Sequence, residues 1–349
     1  AMNQRAKLVI LSHLGMPDGA GPDPRFSLEP VGAELARLLD ADVVLADDCV
    51  GDGVRKVVSD LYGGRIAMLE NVLFHPGEEA NDEKFARELA LLGDVYVNDA
   101  FSVSHRASAS VSVLPRLVKE RCAGLQMSRE MGALGVLRGD PKRPFVAVVG
   151  GAGVRQKLGI VRELMQRADS LLLGGAVAST FLAARGLEMG DSIVDRECLV
   201  HARGAMDEAR RGSVRLVLPA DLAVSGPPGG AAGAVVGAAG VARGTAAMDI
   251  GPATVAAFAA EIGKAGTVFW NGPMGVCEDP PHDAGTVAIA EAVSRSMAYS
   301  VVSGDDTIAA IRKRKLDLRF DHVSTGGTAS LAFVEGREMP GVAALEVEE

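Results

Sequence analysis

Several short stretches carry residue types that could handle a phosphorylated ligand. "GGAGVRQK" (150–157) follows the apolar run "RPFVAVV" and leads into a helix-like stretch. A helix N-terminus after a strand is where an α/β protein receives a phosphate, because free backbone N–H groups and the helix dipole both favour an anion there. The stretch fits neither common nucleotide loop: Gln156 stands at the third glycine of the dinucleotide fingerprint, and Gly-Lys-Ser/Thr is absent. By spacing alone it reads more readily as a structural turn. "VVSGDDTIAAI" places Asp305 and Asp306 at a strand-to-helix junction. A carboxylate there either caps the helix or holds Mg²⁺, which takes one or two carboxylates plus phosphate oxygens. In "VFWNGPMGVCED", Asn271 is either a turn residue or a polar contact to a ligand, and Glu278 follows on the same loop. "LSHLGMP", "NDAFSVSHRASAS" and "PKRPF" bring His13, His105, Arg106 and Arg143 to loops or strand ends. Basic groups in an acidic chain point to an anionic substrate, although any one arginine could equally pair with a surface carboxylate.

The elements that must position these residues alternate between strand and helix. "AKLVILS", "ADVVLA", "RIAML" and "DVYVNDA" read as strands in the first half. Helices lie over about 28–39 and 54–61, and in "NDEKFARELALLG", which opens on an Asn cap. "SREMGALGVLRGDPKR" is a helix with a Gly-Asp-Pro stop, and a fresh cycle begins at "FVAVVG". Its later strands are "SLLLGG", "VRLVLPAD", "GTVFWNG", "AYSVVSGDD" and "HVSTGG". This order implies an α/β fold of parallel sheets with helices on both faces. Ligands in such sheets bind at the carboxyl ends of the strands, so Gly151, Gly174, Asn271, Asp306 and Gly326 are expected around one crevice. The Gly/Ala-rich segment 226–247 reads as a long loop or weak edge structure. A chain of 349 residues suits two domains of this kind, with a boundary near 130–143. The net charge of −9 argues against general nucleic-acid binding, so any anion site is local. No apolar run approaches the roughly 20 residues of a membrane span, and no signal-peptide pattern occurs. The four cysteines are scattered without C-x-x-C spacing and read as reduced thiols of a cytoplasmic protein.

Taken together, the stretches resemble phosphoglycerate kinases. "LSHLG", "LEN" with "HPGEE", "GDVYVNDAF", "HRA", "KRPFVAVVGGA", "DIGP", "WNGPMGV", "DDT", "HVSTGG" and "PGVAALE" occur in the family's order over essentially the whole chain. The resemblance implies two Rossmann-like domains with parallel sheets facing a cleft and connected by a hinge. It implies an acidic-substrate domain over 1–130, joined by the tail 334–349, an interdomain helix and hinge over 131–143, and a nucleotide domain over 144–333. Activity would be Mg²⁺- and ATP/ADP-dependent phosphoryl transfer to a carboxylate. Carried over residue by residue, Gly151, Ala152, Lys157, Gly174, Gly175, Asn271, Pro273, Val276, Glu278, Asp306 and Thr307 would bind nucleotide, with Glu278 at the ribose and Asp306 at the metal. His13, Arg106 and Arg143 would bind the small anionic acid. Arg106, Arg143, Lys157 and Gly304 would act in the transfer itself.

The departures from the pattern fall on the chemistry. Gly153 stands where the family carries the lysine that neutralises the transferring phosphoryl group, and Arg155 is the nearby cation that could substitute. Loss of one such preorganised donor typically costs about 10²–10³ in rate. Met16, Leu73 and Ser108 replace two arginines and a histidine, Asp305 replaces a glycine, and Thr328 replaces the last glycine of its triplet. Asp305 adds a like charge that costs roughly 1 kcal/mol at about 4 Å in water and about 4 at an effective dielectric near 20, unless a metal turns it into an extra ligand. The sequence also begins after the family's "VDFNVP" stretch. A first sheet without that strand exposes an edge, which leads to expected cover by another element, rearrangement, or self-association there. Two functional classes follow: a kinase of altered activity, or a catalytically silent nucleotide-binding protein with a regulatory or scaffolding role.

Overall fold

The computed structural model describes residues 2–19, 21–226 and 234–346. The chain divides into two units, one holding residues up to Ser128 and again from Glu338 onward, the other Arg129–Arg337. Among the described residues no helix is long and apolar enough to cross a membrane.

In the first unit, β1 (Leu8–Ile10), β2 (Val43–Leu45) and β3 (Ile66–Met68) form a parallel sheet in the order β1-β3-β2. Leu8 and Val43 both stand opposite Ile66. β4 (Val95–Asn98) and β5 (Glu120–Ala123) pair in parallel as a separate two-stranded sheet, where the strand–helix alternation predicts one continuous sheet. β5 reads "ERCA", and its mix of charged and small residues gives no strand signal. Helices Glu29–Leu39, Asp52–Asp60 and Glu83–Ala90 connect the strands. Val54, Leu69, Val72, Phe85, Leu89 and Leu114 meet in the core of this unit. The last of those helices is capped by Asp82, whose carboxylate accepts from Phe85 N at 2.8 Å. Asn81, the cap expected from the sequence, instead takes a left-handed φ of 54°. The chain's end packs within the same unit: Gly341 N donates to Ser104 O at 2.9 Å, and Asn98 Nδ2 donates to Gly341 O at 3.1 Å.

The second unit is built on β6 (Phe145–Val149), β7 (Ser170–Leu173), β8 (Arg215–Val217), β9 (Asp221–Val224), β10 (Ala234–Gly237), β11 (Ala247–Ile250), β12 (Thr267–Asn271), β13 (Tyr299–Ser303) and β14 (His322–Val323). Six of them form a parallel sheet in the order β14-β13-β12-β6-β7-β8. Every residue of β6 and β12 is buried, as a parallel sheet covered on both faces requires. Trp270, Phe258, Val268, Ile289 and Val302 fill one side of this core. β9, β10 and β11 make a small antiparallel sheet that the sequence pattern does not announce. The Gly/Ala-rich segment thus supplies an edge strand at Ala234–Gly237, while 227–233 lie outside the described residues. The β9–β11 register shifts between Ala247 and Asp249. Such a bulge re-aims side chains, and Met248 and Asp249 both face a cavity there.

The division between the units falls inside the helix Leu125–Arg138, which starts earlier than the expected connecting segment. Its Glu130, fully buried, accepts from His322 Nε2, Ser324 Oγ and Thr325 N at 2.7–2.8 Å. Burial alone would raise the Glu130 carboxyl, but these hydrogen bonds outweigh it and hold the group below its ordinary value.

Candidate functional site

The carboxyl ends of β6, β7 and β12 meet in glycine-rich turns that are laced together. Gly150 N donates to Asn271 O at 2.9 Å and Gly151 N to Pro273 O at 2.7 Å. Gly174 N donates to Val149 O at 2.9 Å and Gly175 N to Met274 O at 3.0 Å. Gly175 has φ 55°, and an added Cβ would sit 2.6 Å from Gly151 N, so the close approach of the turns requires glycine. Around them lies a cavity of about 220 Å³ lined by Gly151, Ala152, Gly175, Pro273, Val276, Glu278, Asp306 and Asp249, with an apolar wall that includes Ile193, Leu222, Met248 and Met274. A mostly apolar wall with few, placed polar groups is the ordinary form of a small-molecule site.

Lys157 stands in the first turn of the helix Val154–Arg167 and donates to Gly150 O. Burial pushes its pKa down to about 8, against the pull of the Asp306 carboxylate. Asp306 itself is the second residue of the helix Asp305–Lys313, which follows Gly304, whose φ of 94° sets the sharp turn out of β13. It lines the cavity with its carboxylate exposed, so the residues present fit a hard cation bridged to phosphate. Asp249, in the "DIGP" stretch, is a further lining residue. Burial raises its carboxyl to about 7, although Gly285 N and Ile250 N both donate to it. A lone Asp beside Ile-Gly-Pro offers no spacing signal that would reveal this.

Three expected ligands make framework contacts within the protein. Asn271 is buried, and its Nδ2 donates to Ser303 Oγ at 2.9 Å, tying β12 to β13. Thr307 is buried, and its Oγ1 accepts from Gly272 N at 2.9 Å. Gly174 sits behind the cavity against Met274. Gly326 follows β14 at the sheet's edge and is not among the lining residues.

Gly153 is the N-cap of the Val154–Arg167 helix, with φ −75° and ψ 67°. An added Cβ would lie 2.5 Å from Gln156 Oε1, so a neutral carboxamide occupies this space. Arg155 does not substitute for the missing cation. Its guanidinium pairs with Glu197, lies 4.0 Å from Asp195, and the side chain is 66% exposed.

In the first unit, His13 and Arg106 are neighbours. Burial and then the Arg106 charge lower the His13 pKa, opposed by Glu78. Arg143 is not brought to a site. It precedes β6, at the end of that strand opposite Gly151, and donates to Arg167 O at 2.7 Å and Asp169 Oδ2 at 3.1 Å. A residue before a strand lies at its amino end, away from where such sheets bind ligands. Asn71 is buried and holds the "SHLG" loop by donating to Leu14 O and Phe26 O at 2.9 Å each.

Comparison with known proteins gives this arrangement a family. The phosphoglycerate kinase family model matches residues 1–337. The phosphoglycerate kinase of Anaeromyxobacter dehalogenans is 47% identical over 348 residues, covering 99% of this chain and 88% of that protein. That of Pelotomaculum thermopropionicum is 44% identical over 345 residues, covering 99% and 87%. Among solved structures, phosphoglycerate kinase from Coxiella burnetii has a TM-score of 0.86 at 36% identity, covering 99% of this chain and 87% of that one. The enzyme from Pyrococcus horikoshii has a TM-score of 0.87 at 31% identity with the same coverage. A cavity walled by glycine turns at the strand ends and lined by Asp306, with Lys157 buried behind the turns, therefore sits in a chain that belongs to the phosphoglycerate kinase family.

Proposed function

We propose that the chain is a phosphotransferase of altered rate. It binds an adenine nucleotide with Mg²⁺ in the second unit and transfers the γ-phosphoryl group to the carboxylate of a small anionic acid, 3-phosphoglycerate or a related acid. The observation that carries this reading is the cavity at the strand ends lined by Asp306 and Glu278, with Lys157 buried beside the glycine turns within the field of the Asp306 carboxylate. In this reading Asp306 holds the metal, which when bound neutralises charge on the phosphate oxygens. Lys157 meets a phosphate and Glu278 the ribose. His13 and Arg106 hold the acid. The bond from γ-phosphorus to the bridging oxygen breaks as the bond to a carboxylate oxygen forms, giving an acyl phosphate and ADP. No side chain need act as a nucleophile, so positioning and charge dominate the rate.

A second reading, a silent nucleotide-binding protein, draws on one observation: Arg155 is paired with Glu197 while Gln156 Oε1 fills the space beside Gly153. Titration calorimetry with Mg-ADP and a coupled assay with ATP and 3-phosphoglycerate separate the two. Heat of binding with measurable turnover supports the kinase. Binding without turnover against 3-phosphoglycerate or related acids supports the silent role, and no binding at millimolar Mg-ADP overturns both. Self-association is part of this proposal. β4 pairs with β5 alone among the described residues, and Val95 and Val97 are each 54% exposed on it. Sedimentation showing a monomer at all concentrations would remove that part.

A further inference from the structure

A second cluster of ligating groups lies in the first unit, apart from the residues assigned to nucleotide or acid. Asp48 and Cys49 follow β2, and His75 follows the turn after β3, so parallel pairing of these strands brings the two loops to one sheet end. The ligand atoms of Asp48, Cys49 and His75 all lie within 4.8 Å of one another. Asp48 Oδ1 is 2.7 Å from His75 Nε2 and accepts from Cys49 N at 2.6 Å. The His75 ring stacks on Phe85, centroids 5.1 Å apart at 21°, which fixes its plane. Cys49 is fully buried beneath Asp48 and His75, whose side chains are 50% and 31% exposed, so the cluster has a sulfur floor and an open mouth. Burial first, then the charge of Asp48 and to a lesser degree that of Glu78, raise the Cys49 thiol above its ordinary range, a cost that a bound divalent cation offsets.

We infer that Asp48, Cys49 and His75 form a site for a borderline-soft divalent transition metal such as zinc. One sulfur, one imidazole nitrogen and one carboxylate oxygen are a zinc-type donor set, whereas Mg²⁺ requires oxygen ligands. Ligands about 2.0–2.3 Å from a shared ion lie within roughly 4.6 Å of each other, so small side-chain rotations bring the three onto one ion. A fourth position stays open to water. On binding, the Cys49 thiol proton leaves to solvent as the sulfur takes the metal. The ring proton of His75 occupies Nδ1 so that Nε2 can ligate, and Asp48 exchanges its hydrogen bond for a metal bond. The site is independent of the phosphotransferase reading.

The test is titration of the chelator-treated full chain with Co²⁺, followed by ultraviolet and visible absorption. The inference expects one Co²⁺ per chain with a near-ultraviolet thiolate-to-cobalt charge-transfer band, displaced by one equivalent of Zn²⁺. Cys49→Ser removes the band, while Cys122→Ser, at the exposed thiol, leaves it intact. His75→Gln, at a partly exposed side chain, weakens binding by more than the roughly 10–100-fold that loss of a supporting hydrogen bond to a ligand costs. Absence of the band in the unmodified chain, or a band unchanged by both Cys49→Ser and His75→Gln, overturns the site.

Discussion

Gly153→Lys is the sharpest test of how the site handles charge. The backbone there, φ −75° and ψ 67°, lies outside the left-handed region and accepts a side chain without strain. The first obstacle is Gln156 Oε1, 2.5 Å from the new Cβ, and it is the far end of an exposed side chain that can rotate away. A cation at a helix N-terminus costs about 0.3–1 kcal/mol, while replacing glycine where the conformation permits returns about 0.4–1 kcal/mol through the unfolded chain. Folding stability therefore stays within about 1 kcal/mol, and the variant reports on chemistry rather than on folding. A restored donor to the transferring phosphoryl group is worth about 10²–10³ in kcat, or about 2.7–4 kcal/mol. The measurement is kcat with ATP and 3-phosphoglycerate, with Gly153→Met as a control of similar reach and no charge. A Gly153→Lys rate no higher than Gly153→Met, with Mg-ADP affinity intact in both, would refute the reasoning and move the defect to the acid-binding half.

Four further outcomes follow from the geometry. Lys157 has a folded pKa of about 8 against an ordinary 10.5, so the unfolded chain binds the extra proton between those values; the urea-unfolding free energy should rise with pH from about 8 to 10.5, and Lys157→Met should lack that rise. Thr307→Val removes the acceptor of a buried Gly272 N–H and should cost about 1–3 kcal/mol in urea melts, with weaker Mg-ADP binding in calorimetry. Arg143→Ala breaks an exposed pair with Asp169 and should cost less than about 1 kcal/mol with turnover unchanged, whereas Arg106→Ala should raise KM for the acid.

The sequence made the strand–helix alternation and the parallel sheet of the second unit legible, because runs such as "FVAVV" and "TVFWN" are apolar on both faces. It was less informative where burial is partial. β9 alternates between buried and half-buried residues, and its antiparallel partners β10 and β11 lie in or beside the Gly/Ala-rich segment, where small residues give little strand signal. In the site, residue type identified which positions cluster but not which way each points. Asn271 and Thr307 look like ligands in sequence, yet their hydrogen bonds go to Ser303 Oγ and Gly272 N. Arg143 stands at the amino end of β6, a position its charge does not reveal. Asp249 lines the cavity through burial, which a single Asp in the sequence does not reveal.

The hydrogen bonds that lace the glycine turns have a consequence for how this site can change. The N–H groups of Gly150, Gly151, Gly174, Gly175 and Gly272 are all engaged by protein acceptors, as is Val154 N with Ala152 O. These turns act as struts: they hold three strand ends together, and the glycine amides that do so are not offered to an anion. Part of a ligand's charge then falls to side chains, each on its own short tether. The frame and the reactivity are therefore separately mutable. A single position such as Gly153 can change the chemistry while the turns, the cavity and the fold stay in place.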